Sequence, residues 1–483
     1  MKYIKQNFFK IFFIILSILF VVPSIKYLVE NGTVRFFNTY DNFFINDGSN
    51  KILSSILYVV LFGGMAAIYI IFIKKESIFK NIKQLLIYIG IISAIFFVML
   101  PWTSSDIFYY MGVGELDSTY NQNPYYITMK KYYDEKEGNI QDEILEKGVE
   151  NVWADTSVIY GPIAQFIFKI LTKISFKNID VCLMIFKIIN IIVHMMNCYL
   201  IYKISNKLKY AIIYGLNPFM FLEFIANVHN DVIVVCFALI SIYFLINKKQ
   251  ILPSIIFLAI ATGIKYFTIL LLPFIILYHF RDEERLGKRF LKCVEYGIIF
   301  LIVFALEYVL YFRDISIMLS MMVQTGKYCK SIYSGLYSFG LTSSNLEKIL
   351  NWDLITTINK VGFVLFVLEY IVHVMKIFTS KEIKLEHVLR SSNLMIILFL
   401  LILATFQQWY LVWLFICISW QKEKMKAGII AVTLASEFAN SIYMFKIESW
   451  KFDYIFVFII VLILGIYILY DNIFKQKRNE EIA

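Results

Sequence analysis

The chain has 483 residues, of which 59% are hydrophobic, 18% aromatic and only 17% charged, and its formal net charge is +10. Soluble domains carry about 25% charged residues, so this composition excludes a water-soluble globular protein and places the chain in a membrane. The basic excess does not indicate nucleic acid, because no RNA- or DNA-reading motif accompanies it and its distribution is a topology signal.

Apolar runs long enough to cross about 30 Å of hydrocarbon recur near residues 9–29, 52–73, 85–101, 179–204, 232–246, 290–312, 355–377 and 454–470. Shorter or proline-broken runs lie at 162–174, 211–225, 251–264, 267–278, 394–406, 410–418 and 427–444. The pattern predicts an all-α, polytopic transmembrane helical bundle of roughly 12 to 14 membrane segments, some of them discontinuous. It reads as a single membrane domain over 1–483 with no soluble domain at either end. The first run has a lysine-rich flank, but it is long and carries Val21-Val22-Pro23-Ser24 in place of a small-residue cleavage site, so it is expected to stay as a span.

Orientation follows from the cations, which short cytoplasmic loops collect. Lys2, Lys5 and Lys10 put the N-terminus inside. Lys74, Lys75, Lys80 and Lys83, then Lys248 and Lys249, then Arg281, Arg285, Lys288 and Arg289, then Lys475, Lys477 and Arg478 fit the same side. Two sizeable polar inserts, 101–160 and 313–353, therefore face outward. The first carries eleven acidic residues against four lysines, and its stretch 130–150 is charged at close to helical spacing, as one or two surface helices would be. The six cysteines (182, 198, 236, 293, 329 and 417) form no CxxC and fall mostly in apolar runs. There a thiol acts as a small hydrophobe, which argues against a disulfide framework or a zinc site.

Within this apolar chain a few polar residues stand out. Asp106 follows a span closely, in Thr103-Ser104-Ser105-Asp106-Ile107-Phe108-Tyr109-Tyr110, and a carboxylate at the lipid–water boundary is a functional-site candidate by default. Its plain alternative is a helix cap. Asn123-Pro124-Tyr125-Tyr126 is first of all a turn, and Tyr160-Gly161-Pro162 starts a span with proline in its first turn. Asn217-Pro218, Glu223 and His229-Asn230-Asp231 put polar groups between two short apolar segments; His229 and Asp231 could pair with each other or close a helix end. Lys265 interrupts Thr262-Gly263-Ile264-Lys265-Tyr266-Phe267, where it could snorkel to the interface. Gln407-Gln408-Trp409-Tyr410 could be an interfacial aromatic belt. Glu223, Glu307, Glu369 and Glu437 lie in or near apolar runs and receive no role from the sequence.

In this order, after an acidic first outer loop, these constellations resemble the GT-C superfamily of polyprenyl-phosphate-sugar-dependent glycosyltransferases. The likeness is to its bacterial mannosyltransferase-like members, over roughly 101–413, although the stretch between Tyr126 and Tyr160 is longer and more acidic than in that family. The resemblance implies an integral-membrane enzyme that moves a hexose, mannose by likeness, from a polyprenyl-phosphate donor to a glycan or glycolipid acceptor. It implies a multi-pass protein of the cell membrane whose active site lies on the extracytoplasmic face, and an inverting displacement, for which one carboxylate base suffices.

Asp106 matches the family's catalytic aspartate by position, which makes 101–160 the catalytic loop. Lys265 and His229, backed by Lys327 and Lys330 of the second outer loop, are the candidates to meet the donor phosphate. Tyr109, Tyr110, Asn123, Tyr125, Tyr160, Asp231, Gln408 and Trp409 are the candidates to contact substrate. No metal ligand set is assigned; a divalent cofactor is left open, since Asp106 with Asp231 could hold one only if the fold brings them together. The partners implied are the lipid-linked sugar, the acceptor and membrane lipids, with no nucleic acid.

A transporter with a polar path between broken helices competes with this reading. Against it, no inverted repeat is visible and the polar residues gather on the outer face. A non-catalytic scaffold would need no base at the head of the loop.

Overall fold

The computed structural model describes residues 2–31, 51–136, 140–314, 317, 330–340 and 352–444. The run at 454–470, the cluster at 475–478, Lys327 and most of 313–353 lie outside them. Among the described residues every regular element is helical, as the bilayer requires of a chain that must satisfy its backbone internally. Six of the described helices are long and apolar enough to cross a membrane: Asn7–Lys26, Leu53–Lys74, Ile179–Ser205, Asp231–Lys248, Asp353–Phe378 and Leu385–Ile402. Shorter apolar helices lie at Ile82–Phe97, Ile251–Thr262 and Tyr266–His279.

The chain forms two compact units, Met1–Leu272 with Val294–Gln324, and Pro273–Cys293 with Thr325–Ala483. In the first, α1 (Lys2–Asn31), α2 (Lys51–Lys74) and α3 (Ile82–Phe97) close around an aromatic seam, where Phe20 packs on Tyr58 at 5.4 Å and on Phe96 at 6.0 Å between ring centres. Asn81 caps α3 by accepting from Gln84 N at 3.0 Å.

The acidic insert is less of a loop than its composition predicts. Its first part is α4 (Asp106–Ser118), whose residues 107–117 are all buried. The charged stretch beyond it makes two helices where one or two were expected, α5 (Met129–Glu135) and α6 (Glu143–Val149). Glycine lets α4 be central. A side chain at Gly112 would put its first carbon 2.8 Å from the Gly148 Cα on α6, and one at Gly114 would reach 2.6 Å from the Phe168 carbonyl on α7 (Pro162–Lys173). The backbones touch, so the apolar run 107–113 is enclosed on both sides.

The long helix α8 (Ile179–Ser205) presents a buried polar row, Lys187, Asn190, His194 and Asn197, at helical spacing. The row serves the broken backbone beside it, formed by α9 (Leu208–Gly215), the short α10 (Pro218–Met220), a π-helical turn over Phe221–Ala226 and α11 (Asp231–Tyr243). Asn190 donates to the carbonyls of Phe224 at 2.8 Å and His229 at 3.1 Å. His194 Nε2 lies 3.2 Å from the Gly215 carbonyl, and Asn197 donates to the Val232 carbonyl at 2.9 Å. Non-helical backbone at membrane depth persists where protein groups satisfy it. α12 (Ile251–Thr262) then ends at Gly263, and Lys265 is extended before the 3-10 turn Tyr266–Leu271.

In the second unit, Phe274, Leu277, Ile377, Ile383, Val388 and Met395 form one apolar core. The buried Arg289 gives its donors to backbone carbonyls of Glu283, Phe378 and Ser380, closing the C-terminal end of helix Trp352–Phe378. The Gln408–Phe415 segment is a 3-10 helix. The five described cysteines are free thiols.

Candidate functional site

The segment that delivers Asp106 is tied down before α4 begins. Lys187 donates to the Phe97 carbonyl at 3.0 Å and also reaches the Met99 carbonyl. The fully buried Asn227 accepts from Trp102 N at 3.1 Å and Thr103 N at 3.4 Å, and its amide donates to the Thr103 hydroxyl. Ser105 is the N-cap of α4 without a side-chain cap bond, so Asp106 is not the cap but the first helical residue. Its own N–H donates to Ser104 Oγ at 3.2 Å. Its side chain sits at the positive end of the helix and is 16% exposed.

Two short chains of charge meet there. Asp106 Oδ2 lies 3.8 Å from His229 Nδ1, and His229 Nε2 lies 3.2 Å from Glu223 Oε2. The Glu223 carboxylate also accepts from Asn227 at 3.4 Å. Both Glu223 and His229 are fully buried. The turn that aims His229 is strained, since Val228 holds φ 63, a left-handed conformation costly for a β-branched residue. On the other side Lys265 Nζ contacts both oxygens of Asp231, at 2.6 and 2.7 Å, and lies 5.8 Å from the centre of the Tyr160 ring. His229 and Asp231 thus take different partners, and Lys265, 14% exposed at its side chain, turns inward to a buried carboxylate rather than out to the interface. Burial raises the Asp106 carboxyl above the usual carboxylate range, against the opposing pull of His229 and Lys265.

Two glycines place Lys265. Gly161 N donates to the Ile264 carbonyl at 3.3 Å and Ile163 N to the Gly263 carbonyl at 2.9 Å. A first side-chain carbon at Gly161 would stand 2.3 Å from the Gly263 oxygen. The Tyr160-Gly161-Pro162 and Gly263-Ile264-Lys265 motifs therefore dock backbone to backbone, which presents Tyr160 and Lys265 to each other.

The aromatic candidates form the wall behind. Tyr110 and Tyr160 hydroxyls are 3.3 Å apart, Tyr125 donates to the Tyr160 carbonyl at 2.8 Å, and Tyr109 donates to the Thr156 carbonyl at 3.4 Å. Asn123 accepts from Tyr125 N at 3.1 Å and donates to the Tyr311 carbonyl at 2.7 Å, which fixes the Asn-Pro turn. Gln408 and Trp409 belong to the second unit, where both are buried and Gln408 donates to Asn440 at 3.2 Å. Lys330, partly buried with φ 48, precedes helix Ile332–Gly340 in the same unit. Lys327 lies outside the described residues. Asp231 faces Lys265, and among the described residues no group of three or more His, Cys, Asp or Glu side chains is arranged to hold a metal.

Glu223, Asn227 and Lys187 are the site-building residues that the sequence did not assign. Their one signal was polarity inside an apolar run, which does not say what a side chain faces.

The fold and this cluster define a polytopic all-α membrane protein with an acid–imidazole–acid chain beside a lysine–carboxylate pair. The model of the MptA_B family, described as alpha-(1->6)-mannopyranosyltransferase, N-terminal domain, matches residues 31–281, a stretch that includes Asp106, Glu223, His229, Asp231 and Lys265. The chain belongs to this family and is a GT-C-like mannosyltransferase of the membrane. No curated protein and no solved structure matches it.

Proposed function

We propose that the protein transfers mannose from a polyprenyl-phosphate donor to an extracytoplasmic glycan or glycolipid acceptor, forming an alpha-(1->6) link as the family description words it. The observation that carries this reading is the convergence on one small space of a base, Asp106, and a cation, Lys265, each backed by a buried partner. The acceptor oxygen attacks the anomeric carbon while the bond from that carbon to the phosphate oxygen breaks, with inversion. Asp106 accepts the acceptor's proton. His229, held by Glu223, stands beside Asp106 to stabilise its ionised form and orient it. Lys265 meets the charge growing on the leaving polyprenyl phosphate, an interaction stronger in the transition state than in the ground state. Asp231 holds Lys265 aimed through both of its oxygens, and the tyrosine wall gives the sugar an apolar face to lie on.

Membership in a mannosyltransferase family, together with the pinned carboxylate, favours this reading over the transporter. The test uses the purified full chain in lipid nanodiscs, with radiolabelled polyprenyl-phosphate mannose or nucleotide-linked mannose as donor and mannan oligosaccharides as acceptors. Label should pass to the acceptor from the lipid-linked donor alone, in a product sensitive to an α-mannosidase. Transfer from the nucleotide-linked donor would overturn the donor assignment.

A further inference from the structure

The run 162–174 reads in the sequence as a short membrane segment, yet α7 has only 12 residues. At about 1.5 Å per residue it reaches well short of a hydrocarbon core about 30 Å thick. The charge pattern also puts its two ends on one side. α7 opens where the outward insert 101–160 closes, and it leads into α8, at whose far end Lys203, Lys207 and Lys209 gather as they do on a cytoplasmic face. One face of α7 is bound to α4 of the insert. Gln165 donates to the Val113 carbonyl at 3.1 Å, Lys169 pairs with Asp117 at 2.7 Å, and Phe168 and Leu171 are buried.

The opposite face is apolar and open. Phe166, Ile170 and Ile174 follow one another at four-residue steps and are all exposed, with the exposed Lys173 along their edge. The chain then makes a turn fixed by its own bonds: Ser175 N donates to the Thr172 carbonyl at 3.0 Å, Asn178 N to the Ser175 carbonyl at 3.1 Å, and Val181 N to the Asn178 side chain at 2.9 Å. Inside it Phe176 and Lys177 hold φ 53 and 62, left-handed values that residues other than glycine adopt only where the surroundings impose them. Phe176 ends 88% exposed, and a rigid turn that holds a phenylalanine outward is unfavourable in water. The partner this surface fits is lipid. α8 carries on from the turn with the exposed row Val181, Met184, Ile188 and Ile192, on a helix long and apolar enough to cross the membrane.

We propose that α7 and the Phe176 turn form an interfacial anchor on the membrane leaflet at the side of the insert. Phe166, Ile170, Ile174 and Phe176 lie at the boundary of head groups and acyl chains. Lys173, and Lys177 with its ammonium 5.6 Å from the centre of the Tyr120 ring, extend to the level of the lipid phosphates. The anchor involves no residue of the Asp106 cluster, but it is joined to it. α7 begins directly behind Tyr160-Gly161, which docks on the Gly263-Ile264-Lys265 turn, so the anchor sets the depth of that turn in the bilayer, at the level where the phosphate of a polyprenyl donor lies. Only this last consequence rests on the proposed donor.

Depth-dependent fluorescence quenching tests this. Ile170→Cys and Phe176→Cys, with the exposed Val152→Cys as control, are made one at a time in the full chain lacking its native cysteines, labelled with a nitrobenzoxadiazole dye and placed in lipid nanodiscs. All three positions are exposed, so the labelled proteins should unfold at the parent's temperature. At 170 and 176 the emission should shift to the blue, and a nitroxide on a shallow acyl carbon should quench it severalfold more than a nitroxide near the bilayer centre or aqueous iodide. The dye at 152 should answer to iodide alone. Iodide quenching at 170 and 176 as strong as at 152 would put this face in water and overturn the proposal. Strongest quenching by the deep nitroxide, which would make α7 part of a span, or protection from all three quenchers, which would mean a protein partner, would overturn it as well. The measurement needs no sugar donor, so a failed transfer assay and a failed anchor are told apart.

Discussion

Asp106 illustrates how a side chain's role depends on what lies behind it. Burial lifts its carboxyl above the ordinary range near 3.9, and a base must be ionised to act. The acid limb of kcat/KM against pH is therefore expected above the usual carboxylate value, and Asp106→Asn should lower turnover by about 10² or more with unchanged thermal unfolding; near-normal transfer by that variant would remove Asp106 from the chemistry. The Lys265–Asp231 pair calls for a different design. Lys265→Met alone leaves a fully buried carboxylate uncompensated, at a cost of about 3–5 kcal/mol, so lost activity could mean lost fold. Lys265→Met combined with Asp231→Asn should regain most of the unfolding temperature while transfer stays roughly 10- to 1000-fold down. Recovery of both would show that the pair only holds the structure.

Glu115 is buried on α4 near Asp142 and Tyr120, and burial pushes it up to about 7, with Lys177 pulling the other way. Its folded pKa lies above the unfolded value near 4.3, so its contribution to stability is full below that value and is lost as pH rises through about 7. The unfolding temperature of the parent should fall across that window relative to Glu115→Gln; parallel curves for the two proteins would refute the linkage. Asp106, His229 and Lys265 were legible as polar residues in apolar surroundings, whereas Glu223 was indistinguishable from Glu369 or Glu437 until its partner was known.

Elements meet the site through glycine and amide groups. Gly263 lies so close to Glu307 that a first side-chain carbon would stand 1.9 Å from Oε2, and the same residue accepts from Ile163 N. Gly263→Ala should displace the Lys265 turn and lower transfer by roughly tenfold or more, the order expected when a positioning element shifts by about 1 Å. Replacing Glu307 by Ala in that background should return part of the loss, since it removes the nearest clashing atom. No recovery would place the damage at Ile163 instead, whose Cγ1 would stand 2.8 Å from the same carbon. The broken helices were legible from Asn217-Pro218 and the short apolar runs. Their support was not, because Lys187, Asn190, His194 and Asn197 read from sequence as scattered polar residues, and only the pairing of α8 with the π-helical turn shows whose carbonyls they serve.

For the whole molecule, the charge asymmetry predicts opposite faces for the acidic insert and the basic loops. In a variant lacking the native cysteines, Val152→Cys, at a position 81% exposed, should react with a membrane-impermeant thiol reagent in intact cells. Lys381→Cys should react only after lysis. The reverse pattern would turn the proposed site to the cytoplasm. An all-helical membrane protein followed from the sequence alone because hydrocarbon imposes one condition on every span, a long apolar run with an internally bonded backbone, and a linear pattern reports that condition directly. The motif order likewise marked Asp106, His229, Asp231 and Lys265 as special. Only the tertiary structure decided that His229 leans on Glu223 while Lys265 closes on Asp231, and that the acidic insert begins with a buried helix. Those pairings depend on glycine-mediated backbone contacts and on buried amides that join residues more than a hundred positions apart, and no local pattern encodes which distant carbonyl or carboxylate a polar group will meet.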